Sequence, residues 1–166
     1  MDTLEIIKKR RSIRQYSERE IPADVIEKII DAARFAPTAR NVQPWQFVAV
    51  VRADILKKLA DLAENGRFLS RAKACIGVFC FDTKYYLEDG CAATCNILLA
   101  ATALGVGSCW IAGDKKEYCA EVGRLLNAPA GLRLVSLISL GYPESGDEFY
   151  FTEKKDLKGL IHWEKF

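Results

Sequence analysis

DGCAATCNILLAATALGVGSCWI, running from Asp89 to Ile111, carries no charge after its first residue and is rich in Ala, Leu and Cys. A helix that is apolar all round must be buried on nearly every side, so the stretch from about Tyr85 to Leu104 reads as the central pillar of a core. Leu104-Gly105-Val106-Gly107 ends it, and Ser108-Cys109-Trp110-Ile111 follows as a short strand. Upstream, Cys75-Ile76-Gly77-Val78-Phe79-Cys80-Phe81 is a short apolar run, which predicts a buried strand over Ala74 to Phe81. Downstream, a helix is expected from about Lys115 to Leu126, stopped by Asn127 and Pro129, and then a last strand from Leu132 to Leu140.

Nearer the N-terminus, Pro22 starts a segment in which Val25, Ile26, Ile29, Ile30 and Ala33 follow the helical period up to Pro37. Pro37-Thr38-Ala39-Arg40-Asn41-Val42-Gln43-Pro44-Trp45 is a loop bounded by prolines, and it leads into a strand over Gln46 to Val51. Asp54 is placed to cap a helix carrying Ile55, Leu56, Leu59, Leu62 and Ala63, which Asn65-Gly66 stops. A short first helix, Asp2 to about Lys9 with Asp2 or Thr3 as cap, completes an order in which helices and strands interleave.

That first helix delivers Arg10-Arg11-Ser12-Ile13-Arg14; with Lys8 and Lys9 the run has five cations in seven residues and no acid. Guanidinium groups present paired planar donors that suit phosphate, and a serine between them can complete the shell. A solvated basic face on an amphipathic helix is the plainer reading of such a run. The whole chain has a formal charge of only +2, so the basic feature is local and nucleic acid is not expected as a partner.

At 166 residues and 50% hydrophobic content, the chain is expected to be one domain, residues 1–166. No apolar run is long enough to span a bilayer, and the charged start lacks the core of a signal peptide, so a cytoplasmic location is expected. The six cysteines, Cys75, Cys80, Cys91, Cys95, Cys109 and Cys119, form no CxxC pair, and His162 is the one histidine. They read as reduced thiols, mostly buried, and no metal site is expected. From about residue 141 to 166 the chain changes character, through Gly141-Tyr142-Pro143, Ser145-Gly146, Phe149, Tyr150 and Phe151 to Leu157, Leu160, Ile161 and Trp163. Those apolar residues either pack across their own domain or form an extended arm that clasps a second subunit.

Taken together, RRSIR at 10–14, APTARNVQPWQF at 36–47, the helix and strand of 89–111, LGYP at 140–143 and KKDLKGLIHW at 154–163 resemble the nitroreductase-like flavoprotein family over almost the whole chain. The resemblance implies an α+β fold with a central antiparallel-dominated sheet flanked by helices, a homodimer with an extended C-terminal arm, and noncovalent FMN at the dimer interface. It assigns Arg10, Arg11 and Ser12 to the FMN phosphate and ribityl chain and Arg14 to the pyrimidine edge of the ring. Pro37, Thr38 and Asn41 match a loop that reaches the flavin held mainly by the other subunit. Trp110, Ile111, Ala112 and Gly113 match a segment whose backbone passes the flavin ring, Gly113 permitting close approach. Cys109 adjoins that segment and is the thiol singled out for reactivity. Lys154 stands where relatives carry a phosphate-binding arginine; it keeps the charge without the paired donors, and Lys155 is its neighbour.

The implied activity is hydride transfer from NAD(P)H through FMN to a small organic acceptor such as a nitroaromatic, quinone or enone, with no catalytic acid or base side chain required. The alternative is an FMN-binding store, sensor or partner-reduced electron carrier that does not turn over with nicotinamides. A doubly wound dinucleotide fold is excluded, because Gly105-Val106-Gly107 follows a helix and precedes a strand, the reverse of the required order.

Overall fold

The computed structural model describes residues 2–144 and 153–166. Helix α1 covers Thr3–Lys9, with Asp2 accepting from Leu4 N as its cap, and α2 covers Ala23–Ala33 directly after Pro22. Strand β1 is Trp45–Val50, α3 is Ala53–Leu62, and a 3-10 segment over Glu64–Arg71 leads to β2, Ala74–Phe81. Helix α4, Tyr86–Ala103, forms where its composition indicated but is not buried on nearly every side: Ala93, Ile97 and Ala101 are buried, whereas Cys95 is exposed and Cys91, Ala92 and Leu99 are half-buried; β3, Gly107–Ala112, α5, Cys119–Leu125, and β4, Leu132–Gly141, follow. Among the described residues no helix is long and apolar enough to cross a membrane.

The four strands form one sheet in the order β1-β2-β4-β3, every pair antiparallel. Alternation along β2 sends Ile76, Val78 and Cys80 to one face, where Ile26, Ile29 and Ala33 of α2 and Ala93, Ile97 and Ala101 of α4 cover them. Cys75 and Phe79 go to the other face and meet Leu56, Leu59 and Ala60 of α3, Leu69 and Val122 of α5. The sheet is therefore buried on both sides, which is why β2 is apolar throughout and shows no polar alternation.

One irregularity matters for the site. The register of β2 against β4 slips between Val78, opposite Ser136, and Phe79, opposite Leu134. Val135 is the extra residue of a bulge. As a result Val135 and Ser136 both turn toward α4: Val135 packs with the α4 cluster, and Ser136 Oγ donates to Thr94 Oγ1, which itself donates to Gly90 O at 2.8 Å.

Three expectations are corrected. Asp54 does not cap α3; Arg52 occupies the cap position, and its guanidinium holds the Asp54 carboxylate at 3.0 and 2.8 Å. Helix α5 starts at Cys119, not near Lys115, because Gly113 N and Asp114 N still bond Val135 O and Leu134 O and so prolong the sheet past β3. Of the tail, Ser145, Gly146, Phe149, Tyr150 and Phe151 lie outside the described residues, while Leu157, Leu160, Ile161 and Trp163 are exposed on the single chain. Their packing across their own domain is not what the structure shows.

Gly113 has a packing reason to be glycine: a Cβ there would stand 2.7 Å from Val135 O and 2.9 Å from Leu134 O, both backbone atoms of the bulged strand. Gly113→Ala is expected to cost about 1–3 kcal/mol. Urea unfolding measures it, with Gly159→Ala, whose Cβ meets nothing within 4 Å, as the control expected to stay within about 0.5 kcal/mol.

Candidate functional site

Helix α1 is capped by Arg10, and the chain then meets the free edge of β3 at Ser108 before passing to the residues just beyond β4. Ser12 pairs with Ser108 in parallel, Ile13 N donates to Ser108 O at 2.9 Å, and Ser17 N donates to Tyr142 O at 2.9 Å just past β4. Gly107 makes the close approach possible, since a Cβ on it would lie 2.9 Å from Ile13 Cβ. The arginine cluster is thus fixed to the sheet edge and is not a loose basic surface.

Arg10, Ser12 and Arg14 all act on the Cys109 thiol. Burial pushes that thiol up, and the Arg14 charge, a hydrogen bond with Ser12 and the Arg10 charge pull it partly back. At 2% exposure Cys109 is buried and held protonated, which corrects the expectation of a reactive thiol. The Arg14 guanidinium sits 5.7 Å from the centre of the Phe68 ring. Phe68 belongs to the 3-10 segment and went unnoticed in the sequence, where nothing marks it off from other core aromatics.

Along β3 the ladder to β4 fixes which backbone groups face outward. Gly113 N bonds Val135 O, and the same register makes Ile111, Cys109 and Gly107 the residues that bond β4. The peptide groups of Ser108, Trp110 and Ala112 therefore point to the open edge, as the bond from Ile13 N to Ser108 O confirms. Of the four residues expected near the flavin, Ile111 is buried in the core, Trp110 packs against the α4 cluster, and Gly113 N is used within the sheet. Ala112 is the exposed one, and its carbonyl accepts from the Tyr118 hydroxyl. The corner beyond it is held by Asp114, which accepts from Tyr86 Oη at 2.5 Å and from Arg133 Nη2 at 3.4 Å. Burial, then the bond to the Asp114 carboxylate, push the Tyr86 phenol up to about 12.

The proline loop lies elsewhere. Thr38 Oγ1 donates to Asp89 Oδ2 at 2.8 Å and accepts from Gln43 N at 3.1 Å, and Ala39 N donates to Asp89 Oδ1 at 3.2 Å. Asp89 is 5% exposed, a buried acid whose job is to fasten this loop to the first turns of α4. Its signal in the sequence is plain in retrospect: it is the last charge before an uncharged helix. Pro37 and Asn41 are exposed, and Arg40, Asn41 and Gln43 all have positive φ, 55°, 57° and 51°, a strained conformation of the kind found where a loop must present itself in one shape.

Within one chain this loop and the arginine cluster do not meet. The loop enters β1, at the sheet edge opposite β3, three strand spacings or about 14 Å away. Asp89 is also about 20 Å up α4 from Thr102, which shares a cavity wall with Arg11. Lys154 and Lys155 are exposed. Among the described residues no group of histidine, cysteine or acid side chains is arranged to hold a metal. What the site offers is a row of cations, hydroxyls and outward peptide groups beside an exposed sheet edge, a donor set for an anionic, hydrogen-bonding ligand.

The sequence profile of the Nitroreductase family matches residues 7–74 and 82–142. A protein of Archaeoglobus fulgidus, named as a candidate NADH dehydrogenase/NAD(P)H nitroreductase, is 40% identical over 99% of both chains. Among solved structures, an FMN-dependent nitroreductase of Clostridium difficile R20291 superposes with a TM-score of 0.90 at 29% identity, covering 98% of this chain and 99% of that one. A nitroreductase of Bacteroides fragilis NCTC 9343 with bound FMN gives 0.82 at 28% identity and 98% of each chain.

Removing the loop's anchor is expected to release it. Asp89→Ala leaves Thr38 Oγ1 and Ala39 N without their acceptor, a loss of about 2–4 kcal/mol for two bonds to a carboxylate. Limited trypsin digestion should cut after Arg40 faster in the variant, and an unchanged cleavage rate would show that Asp89 is not what holds the loop.

Proposed function

The chain belongs to the nitroreductase family, and from that membership we propose that it is a homodimeric, FMN-dependent oxidoreductase acting between NAD(P)H and a small organic acceptor such as a nitroaromatic, quinone or enone. The observation that carries this reading is the docking of the arginine segment on the edge of β3 at Ser108, which gathers Arg10, Ser12 and Arg14 around Cys109 of the strand whose outward peptide groups include those of Trp110 and Ala112. When bound, FMN supplies hydride acceptance from the nicotinamide and hydride delivery to the acceptor.

The residues present fit that group. Arg10, Arg11 and Ser12 supply charge-assisted donors for the phosphate and ribityl chain. Arg14 stands two positions beyond Ser12 in the same segment, and a fixed cation at the pyrimidine edge of the ring favours its negatively charged reduced form. Ala112 N–H, facing outward, is the main-chain donor available to orient the ring; Gly113 N–H is occupied by Val135 O, so the glycine's part is to let the strand pass the bulge. No side chain is assigned a proton-transfer role, because the work asked of the protein is positioning and electrostatics.

A second copy completes the site. Pro37, Thr38 and Asn41 sit too far from Arg10 in one chain to share a ligand with it, and a partner's loop, already rigid through Asp89, would lose little entropy on crossing the interface. Exposed Leu4, Ile7, Phe35 and Val42 on the body and Leu157, Leu160, Ile161 and Trp163 on the arm supply the apolar surface such an assembly would bury. Lys154 or Lys155 then reaches the phosphate from the arm.

The visible spectrum of the purified protein, before and after anaerobic addition of NADH or NADPH, tests this reading. A flavin band that bleaches on addition is expected. A band that persists would favour an electron carrier or store, and no band even with excess FMN would remove the proposal. Arg10→Ala is expected to raise the FMN dissociation constant about tenfold, the value of one hydrogen bond to a charged group, whereas Arg14→Ala should chiefly lower the potential of the bound flavin; a titration of each variant with FMN and then with reductant separates the two roles.

A further inference from the structure

The corner that follows β3 has most of its main-chain groups committed. Gly113 N donates to Val135 O at 3.1 Å, Asp114 N donates to Leu134 O at 2.7 Å, and Gly113 O accepts from Lys116 N at 3.2 Å. Asp114 has a left-handed backbone, φ 38°, and its carboxylate, 11% exposed, is gripped by Tyr86 and Arg133. A non-glycine residue in that conformation is strained, and such strain persists only where the surroundings over-determine it. The corner is built to one shape.

Ala112 stands at its entrance. As a residue of β3 that does not bond β4, it turns both its N–H and its C=O to the open edge. In an extended residue the two groups lie side by side, so an edge residue offers a ligand a donor and an acceptor alike. Tyr118 removes the second: its hydroxyl donates to Ala112 O. Ala112 is left with an open donor and a capped acceptor, and the next outward carbonyl, that of Trp110, is two residues back, about 7 Å along the strand. The cap is held firmly, because the Tyr118 ring packs against the cluster that contains Ile111 and Val122. Burial pushes the Tyr118 phenol up, so its proton stays in place. Tyr118 also lines a cavity of about 570 Å³ together with Leu62, Asn65 and Lys115, so the capped carbonyl stands beside space that a ligand can enter.

The ring nitrogen of a flavin that takes hydride reverses its hydrogen-bonding character. In the oxidised ring it accepts; once the nicotinamide has given up hydride and been oxidised, the same nitrogen carries the hydrogen and needs an acceptor. An edge with an open donor and a capped acceptor suits the first form and leaves the second unpaired. We propose that Tyr118 is a positioning residue that makes Ala112 a donor-only group and thereby holds down the reduction potential of bound FMN, keeping the reduced ring a ready hydride donor. The inference rests on the FMN reading above and adds a residue that the family resemblance does not assign. Tyr118 then opposes Arg14, whose charge favours the reduced ring, and the two together set the potential.

The test is the reduction potential of bound FMN, measured with the dissociation constant of oxidised FMN, for the wild type, Tyr118→Phe and Tyr86→Phe. Tyr118→Phe keeps the packed ring and frees Ala112 O. Reduced FMN should bind it about tenfold more tightly than wild type, the net effect of one hydrogen bond, while oxidised FMN stays within about twofold. The sign follows: tighter binding of the reduced form raises the potential, by about 30 mV for tenfold in a two-electron couple. Tyr86→Phe removes the neighbouring phenol of the same corner and leaves the cap on Ala112 O, so it should shift that ratio by no more than about twofold. With the deazaflavin analogue of FMN, in which a CH group replaces the hydride-accepting nitrogen, the difference between Tyr118→Phe and wild type should vanish. An unchanged or lowered potential in Tyr118→Phe, a loss of its affinity for oxidised FMN, an equal rise in Tyr86→Phe, or a difference that survives with the analogue would each overturn the assignment. A wild type that binds no FMN would sink the FMN reading itself, whereas a wild type whose bound FMN has the same potential as in Tyr118→Phe would sink only the role of Tyr118.

Discussion

The buried hydroxyl of Tyr16 is the contact on which the site depends. It donates to Ile13 O at 2.6 Å and, its one proton so committed, accepts from Ser139 Oγ at 2.6 Å. Ser139 lies in the middle of β4, opposite Cys75 on one side and Cys109 on the other, so the bond fastens the segment after α1 to the centre of the sheet. Burial pushes the Tyr16 phenol far above its ordinary range, keeping the proton and hence the donor in place. The ring needs room, and Gly141 provides it: a Cβ there would fall 2.5 Å from Tyr16 Cδ1. With this rivet set, Ile13 N meets Ser108 O and the arginines have no freedom to leave the edge of β3.

That edge would otherwise be a liability. An exposed strand edge with unpaired peptide groups invites pairing with another chain. Here the first part of β3 is covered by residues 12–13, and Ala112 O is taken by Tyr118. What stays open is a short stretch around Trp110 and the N–H of Ala112, a width suited to a small ligand and too short to template a strand. The Val135 bulge sharpens the arrangement, because it draws the β4 backbone toward Gly113, ties up the Gly113 N–H and leaves the Ala112 N–H as the outward donor.

Much of the fold was legible because burial dictates composition. Helix α4 buries Ala93, Ile97 and Ala101 against the sheet and α2, while its opposite side, with Cys95 exposed and Leu99 half-buried, is apolar without being covered in the single chain; β2 is apolar on both faces since helices cover both; and α2 shows a single clean stripe at Ile26, Ile29 and Ala33. Charge was a poorer guide. Asp54 has the right chemistry for a cap, yet it lies two residues past the cap position and pairs with Arg52, which occupies it. The Val135 bulge leaves no mark in LRLVSLISLG, where every residue from Leu134 to Gly141 is buried and either register satisfies the core. Within the site, the cation cluster was readable and Asp89 left a trace as the last charge before an uncharged helix, but Ser108 was not: the sequence shows a polar residue inside an apolar run, and only the fold tells whether it has a partner.

Asp89 and Ser108 then separate two uses of a buried polar group. Asp89 is fully engaged, and its two bonds hold a loop with three left-handed non-glycine residues in one shape; the strain is offset inside the chain. Ser108 Oγ has no such partner among the described residues, and a hydroxyl withdrawn from water and left unpaired costs free energy. A buried carboxylate at the start of α4 thus fixes the shape of an exposed loop, while the buried hydroxyl on the strand that follows the same helix makes no bond to any described residue, so only the first of the two stiffens the chain through its own hydrogen bonds.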